Sequence, residues 1–264
     1  MNFLALDHRA LFERLCAPFG PSTYQRIVEL KQVVYEAYVR VNHSGIGLLV
    51  DEHYGAAIAL DARRRGVTLA MPVEQNETRT FALEYGDDFS IHVAAFEPDW
   101  VKALFRYEPL EDRFGRSLDD LVAVASSCSA RPLLLELIPQ DGDRERLGAE
   151  IAHLLSIGLA PAAWKIPLPS HSHLRTVVEV VRSAPGAHAE ILALGGGESL
   201  IDATSTIASA TRSRLIDGWA VGRAVWHEPL CAMVAGTATR KQAASEIAVN
   251  LLSLVEVFDP GGTS

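Results

Sequence analysis

Cysteine is scarce. Cys16, Cys128 and Cys231 are widely spaced, odd in number and without a C-x-x-C pair. This pattern excludes a disulfide framework and a cysteine-built zinc site, and it fits free core thiols in a reducing compartment. No apolar run reaches the eighteen or so residues that a membrane-spanning helix needs. Positive charge is short as well. Lys and Arg number 24 against 33 Asp and Glu, leaving a net charge of −9, which argues against nucleic acid or an anionic membrane surface as a partner. An anionic ligand would have to be met by a local cluster of cations working against that field. Residues 1–6 lack a basic n-region and run straight into Asp7-His8-Arg9, so no secretory signal is read there and a cytoplasmic location is expected. What is present is 48% hydrophobic and 22% charged residues, the balance of a globular protein with a sizeable core.

Lysine is the scarcest charged type: Lys31, Lys102, Lys165 and Lys241. Two of them, Lys102 and Lys165, interrupt apolar runs that read as buried strands. Desolvation disfavours an ammonium, and a second cation nearby pushes the same way. A free lysine near pKa ~10.4 is neutral in only about one molecule in two thousand at pH 7, and a pKa near 7 raises that about a thousandfold. Such an amine can attack a ketone. The ordinary alternative is a lysine at a strand end with its amine in water.

Short apolar runs recur at 3–6, 46–50, 68–73, 101–107, 133–138, 163–168, 191–194 and 219–225. Helix-length amphipathic stretches separate them, at 24–41, 54–65, 117–127, 144–156, 174–183 and 200–214, with a last one at 241–258. The runs lack period-2 alternation, as expected of parallel strands covered on both faces. Strand then helix, repeated about eight times, is the arithmetic of an α/β chain folded as a single (β/α)8 TIM barrel over residues 1–264. A doubly wound open sheet fits the alternation nearly as well. The barrel is preferred because polar residues end nearly every run: Asp7, Asp51, Glu74, Arg106, Glu136, Lys165, Gly195 to Gly197 and Arg223. A barrel gathers all of its strand ends on one face. No linker is evident, and 260–264 reads as a tail.

Glu136 stands inside Leu133-Leu134-Leu135-Glu136-Leu137-Ile138. It is read as a proton carrier facing Lys102 or Lys165, or as a structural ion pair in the barrel floor. Asp7 and Asp51 end their strands and are read as substrate contacts or helix caps. Arg9 and Arg106 add cations at the same end. Gly195, Gly196 and Gly197, then Gly222 and Arg223, fall after strands seven and eight. Barrels often bind a phosphate there through backbone N–H groups, although three glycines alone can be a turn. His171-Ser172-His173 invites a zinc reading, but no third ligand at a suitable spacing stands out, so no metal and no cofactor is expected. Trp164, Trp219 and Trp226 are read as packing around the barrel ends.

Taken together, ALDHR at 5–9, LLVDEHYG at 48–55, VKALFRY at 101–107, LLEL at 134–137, WKI at 164–166 and VGRAVW at 221–226 resemble the class I aldolases of the tagatose-bisphosphate type. The resemblance spans the chain. It is closer still to the aldolase-like domain fused to some inositol-catabolic sugar kinases, the 5-dehydro-2-deoxyphosphogluconate aldolases. It implies Lys165 as the Schiff-base lysine with Lys102 as its cation neighbour, and Glu136 as the acid/base. It also implies Asp7 near the bond being cleaved, and Arg223 with the glycines on a phosphate. The implied partner is a phosphorylated keto-sugar or keto-acid, and self-association into a homo-oligomer is compatible with it. One departure stands out. Where relatives carry a carboxylate directly after the strand-six Lys-Val or Lys-Ile, this chain has Pro167. The competing readings are a metal-dependent barrel hydrolase built on His171 and His173, and a non-catalytic phospho-sugar-binding barrel.

Overall fold

The computed structural model describes residues 1–76, 78, 81–107, 115–127, 131–184, 189–195 and 199–258. Cys128, Gly196, Gly197 and the 260–264 tail lie outside them. Eight parallel strands close in sequence order into one barrel. They are β1 (Asn2–Leu6), β2 (Ile46–Val50), β3 (Leu69–Pro72), β4 (Trp100–Tyr107), β5 (Leu133–Pro139), β6 (Ala163–Pro167), β7 (Glu190–Leu194) and β8 (Gly218–Val221). The helices outside the ring are α1 (Ala10–Cys16), α2 (Thr23–Val41), α3 (Glu52–Arg64), α4 (Phe89–Phe96) and α5 (Gly115–Ser127). They continue with α6 (Leu147–Ser156), α7 (His171–Ser183), α8 (Leu200–Arg212), α9 (Arg223–Val234) and α10 (Arg240–Phe258). Among the described residues no helix is long and apolar enough to cross a membrane.

The near-uniform apolarity of the strands has a direct cause: each is buried on both faces. All five residues of β2, Ile46–Val50, are buried. Inward positions such as Phe3, Ala5, Leu49, Leu134 and Leu192 fill the barrel, while outward ones join the larger layer beneath the helices. Helices α3 and α8 begin where a side chain caps them, Asp51 accepting from the Tyr54 N–H and Ser199 from that of Asp202. The ring closes where β8 meets β1, and there glycine is a steric requirement. A Cβ at Gly222 would lie 2.1 Å from the Ala5 carbonyl oxygen, and one at Gly218 1.6 Å from that of Met1. Helix α10 packs on both α2 and α9 and so covers this seam from outside.

The run at 219–225 does not remain strand to its end. β8 stops at Val221, and 223–225 are the first turn of α9. Helices α1, α4 and α9 escape a periodicity reading for physical reasons. The first two have only 7 and 8 residues, α4 is apolar around most of its circumference, and α9 contains Pro229. Cys16 and Cys231 are free thiols.

Candidate active site

Strand alternation puts Lys102 and Arg106 of β4, Glu136 of β5, and Lys165 and Pro167 of β6 on the inner face. Glu136 and Lys165 are register partners on neighbouring strands. Asp7 and Glu74 follow the ends of β1 and β3 and point the same way. These side chains line a cavity of about 430 Å³ at the C-terminal mouth of the barrel.

Its floor is an ion-pair network. Lys102 Nζ lies 3.0 Å from Asp7 Oδ2, 2.5 Å from Glu74 Oε1 and 2.9 Å from Glu136 Oε2. Lys165 Nζ donates to that same Glu136 Oε2 at 2.9 Å. Lys102, Glu74, Glu136 and Lys165 are buried, Lys165 to 1% exposure, and the Asp7 side chain is 7% exposed. Burial alone would raise the carboxyl of Asp7, but Lys102 and Lys165 outweigh it and hold Asp7 well below the usual carboxylate range. The same contest ends with Glu136 down at about 2. Glu74 goes the other way: burial raises it and Lys102 only partly offsets the effect. Burial works against the Lys102 ammonium, yet Asp7, Glu136 and Glu74 together carry it well above its ordinary value. Lys102 is therefore a fixed cation. His8, also on the cavity wall, is lowered by burial to about 4 and stays neutral near pH 7. It meets Trp226 edge-on at 5.3 Å.

The remaining expected residues divide. Gly195, Gly222, Arg223 and Arg106 line the cavity. At Gly195 a Cβ would lie 2.8 Å from Val221 Cγ1, so this glycine is needed for close packing. Gly196 and Gly197 lie outside the described residues. Asp51 does not line the cavity. Its side chain is 1% exposed, pairs with Lys31 and caps α3 by accepting from the Tyr54 N–H at 2.8 Å, the helix-cap alternative of its two readings. Arg9 borders the cavity, but Nη1 donates to Glu84 Oε2 and Nη2 to the Glu74 carbonyl, each at 2.6 Å. Its described contacts fasten the segment after β3 to the end of β1 rather than reach for a phosphate. His171 and His173 are exposed on the first turn of α7, where His173 pairs with Glu145. Among the described residues no group of three or more His, Cys, Asp or Glu is placed to hold a metal ion.

Four residues went unread. Arg14 and Arg144 line the cavity beside Arg106 and Arg223. Neither lies at a strand end, so nothing in the pattern marked them. Glu74 was noted as a strand-end polar residue but given no role. Lys31 was passed over although its signal is plain. It shares the apolar stripe of Ile27, Leu30 and Val34 on α2, where a charged residue demands a partner. It is fully buried, its amine lowered by burial against the pull of Asp51, and it donates to the Leu6 carbonyl at 2.7 Å, one residue before Asp7.

Residues 1–261 match the family described as "Uncharacterized protein conserved in bacteria (DUF2090)". No curated protein matches the chain. Among solved structures, a fructose-bisphosphate aldolase from Plasmodium falciparum is similar with a TM-score of 0.71 at 12% identity, over 97% of this chain and 89% of that one. An archaeal fructose 1,6-bisphosphate aldolase is similar with a TM-score of 0.61 at 16% identity, over 98% and 94%. An archaeal fructose-1,6-bisphosphate aldolase with its catalytic Lys covalently bound to the carbinolamine intermediate of the substrate reaches 0.60 at 16% identity, over 96% and 93%. At such identities the likeness speaks for the (β/α)8 fold.

Proposed function

The chain belongs to the DUF2090 family, whose description assigns no activity, and from the chemistry of its barrel mouth we propose that it is a class I aldolase, a carbon–carbon lyase with Lys165 as the Schiff-base nucleophile. The observation that carries this reading is the sharing of Glu136 Oε2 by two buried lysines of unequal commitment. Lys102 is held by three carboxylates, whereas Lys165 has the shared one and opens on the cavity. An amine beside a fixed cation and a proton-accepting carboxylate is what imine formation requires. The solved aldolases of like fold, one with its lysine caught as a carbinolamine, support the same chemistry.

In the proposed reaction the amine form of Lys165 attacks the ketone of a phosphorylated keto-sugar or keto-acid. Loss of water leaves an iminium ion, which accepts the electron pair of the breaking C–C bond and becomes an enamine. Glu136, touching Nζ, is positioned to relay protons during the attack and the dehydration. Protonation of the enamine and hydrolysis release the ketone product and free Lys165.

The arginines support a doubly anionic substrate. Arg14 and Arg223 follow β1 and β8, which are neighbours in the ring, while Arg106 and Arg144 belong to the β4 and β5 sector across the mouth. A phosphate near Arg223 and a carboxylate or second phosphate near Arg106 would straddle Lys165. We assign 2-deoxy-5-keto-gluconate 6-phosphate, cleaved to dihydroxyacetone phosphate and malonate semialdehyde; tagatose bisphosphate is the next candidate. Borohydride reduction in the presence of dihydroxyacetone phosphate should leave a stable adduct on Lys165, read by peptide mass. Lys165→Arg should abolish both the adduct and turnover. A wild-type protein that cleaves either sugar without forming an adduct on Lys165 overturns the reading, and turnover lost to EDTA would favour the metal-dependent hydrolase instead.

A further inference from the structure

His8 stands on the cavity wall and has no part in the imine chemistry above. Its side chain is 33% exposed, against 7% for Asp7, 6% for Glu74 and 8% for Glu136, the carboxylates lining the same cavity. Its two ring nitrogens differ. Nδ1 is buried, has no hydrogen-bond partner among the described residues, and lies 3.7 Å from Asp7 Oδ1. Nε2 makes no hydrogen bond to the described residues either, but it is not sealed. A ligand in the barrel mouth can therefore meet Nε2.

The ring is held in place by its surroundings. It meets Trp226 edge-on, and Trp226 is itself fixed by stacking on Phe12 at 4.6 Å and by donating to the Ala5 carbonyl at 3.0 Å. Cε1 uses the space that Gly222 leaves, since a Cβ there would lie 2.9 Å from it. The imidazole thus sits between Asp7, after β1, and the start of α9, where Arg223 stands.

We propose that His8 is a catalytic residue whose Nε2 accepts the proton of the substrate hydroxyl as the carbon–carbon bond breaks. The assignment rests on the imine reading above. In the step, the O–H proton passes to His8 Nε2 and the O–H electron pair becomes the C=O bond of the departing aldehyde. The C–C pair becomes the C=C bond of the enamine, and the iminium π pair settles on nitrogen. His8 returns its proton to water as the aldehyde leaves.

Two geometric arguments select His8. The first is reach. Asp7 Oδ2, Glu74 Oε1 and Glu136 Oε2 all face Lys102, and Glu136 Oε2 also holds Lys165. Glu136 stays with the imine nitrogen it touches, whereas the hydroxyl lies two carbons beyond the imine carbon. The second is the tautomer. An ionised Asp7 repels a lone pair on Nδ1 and favours a proton there, which leaves the lone pair of the neutral ring on Nε2. The ring is neutral near pH 7 because burial outweighs Asp7. Once Nε2 takes the proton, the imidazolium forms beside the Asp7 carboxylate, which stabilises it. Asp7, Lys165, Glu136 and Lys31 are the charges that act on the ring.

The test compares wild type with His8→Phe, which keeps a ring against Trp226, and with His8→Ala, which opens a space for added imidazole. With dihydroxyacetone phosphate and borohydride, all three should form the Lys165 adduct. The cleavage assay uses 2-deoxy-5-keto-gluconate 6-phosphate or tagatose bisphosphate, whichever the wild type cleaves. Both variants should be slower by about a hundredfold or more. Imidazole in the medium should restore cleavage by His8→Ala, and pyrrole, whose nitrogen has no basic lone pair, should not. A substrate-free reading is nitrogen-15 NMR of the His8 ring at pH 7, which should show a neutral imidazole protonated on Nδ1. Undiminished cleavage by either variant, restoration by both additives or by neither, or a neutral ring protonated on Nε2 overturns the assignment while leaving the imine intact. Loss of the adduct in a folded His8→Phe would move His8 to imine formation and overturn it as well. Absence of the adduct in wild type removes the imine reading, and this assignment with it.

Discussion

Lys102 and Lys165 differ in commitment rather than in kind, and at the residue scale that difference organises the site. Sequence marked both, because an ammonium in an apolar strand is an anomaly wherever the strand goes. It gave Glu74 no role because that residue ends a run, where polar groups need no explanation. Lys31 shows how much a single buried charge matters. Lys31→Met would strip buried Asp51 of its ion-pair partner, and a loss of about 3–5 kcal/mol is expected, read as a lowered urea midpoint. Because Lys31 also binds the Leu6 carbonyl, the variant should raise KM through displaced Asp7 even where it remains folded. Acid should dismantle the ion-pair network around Lys102 and Lys165. Asp7 and Glu136 have folded values below their ordinary ones, so their stabilisation is complete above about pH 5 and lost as pH falls toward 2. A circular-dichroism acid titration should show the transition in that window.

At the scale of the element, helix α6 carries an unresolved charge. Glu150 is 3% exposed, and among the described residues neither of its carboxylate oxygens has a hydrogen-bond partner. Burial lifts it to about 7 against the pull of Arg146. The folded value stands above the ordinary one, so folding favours the protonated form. That contribution is present in acid and fades as pH rises from about 4.5 through 7. Glu150→Met should therefore raise the melting temperature at pH 8, by about 2–4 °C for each kcal/mol released, and change it far less at pH 5. Equal shifts at both pH values would remove the charge from the explanation. The end of β8 was misread for a related reason: an apolar run does not say whether its last residues pair with a strand or begin a helix. Gly222, pressed on the Ala5 carbonyl, and the turn into α9 decide it.

For the molecule as a whole, the barrel must close before the site exists, since Asp7 comes from the first strand and Lys165 from the sixth. Gly218 sits where β8 passes the start of β1, and a methyl group there would overlap the Met1 carbonyl. Gly218→Ala should cost about 1–3 kcal/mol or more and weaken substrate binding with it. Gly148→Ala is the contrast, because its nearest neighbour would be 3.4 Å away and it lies inside α6. There the gain in helix propensity, about 0.5–1 kcal/mol, should survive. A pair of urea titrations separates the two outcomes.

What the sequence determined by itself was the alternation of buried strand and amphipathic helix, because hydrophobic period is a local property of the chain, and the polar residues that end nearly every run favoured a closed barrel over an open sheet. It also marked Lys102, Glu136 and Lys165 as charges inside apolar strands, where each needs a partner. The tertiary structure alone decided which carboxylate each lysine would meet, that Asp51 would serve Lys31, and that Arg9 would fasten a loop. It decided too that Glu74 would meet Lys102. Those outcomes depend on the stagger of strands around a closed ring and on groups 20 or more residues apart, and no local pattern in the chain encodes either.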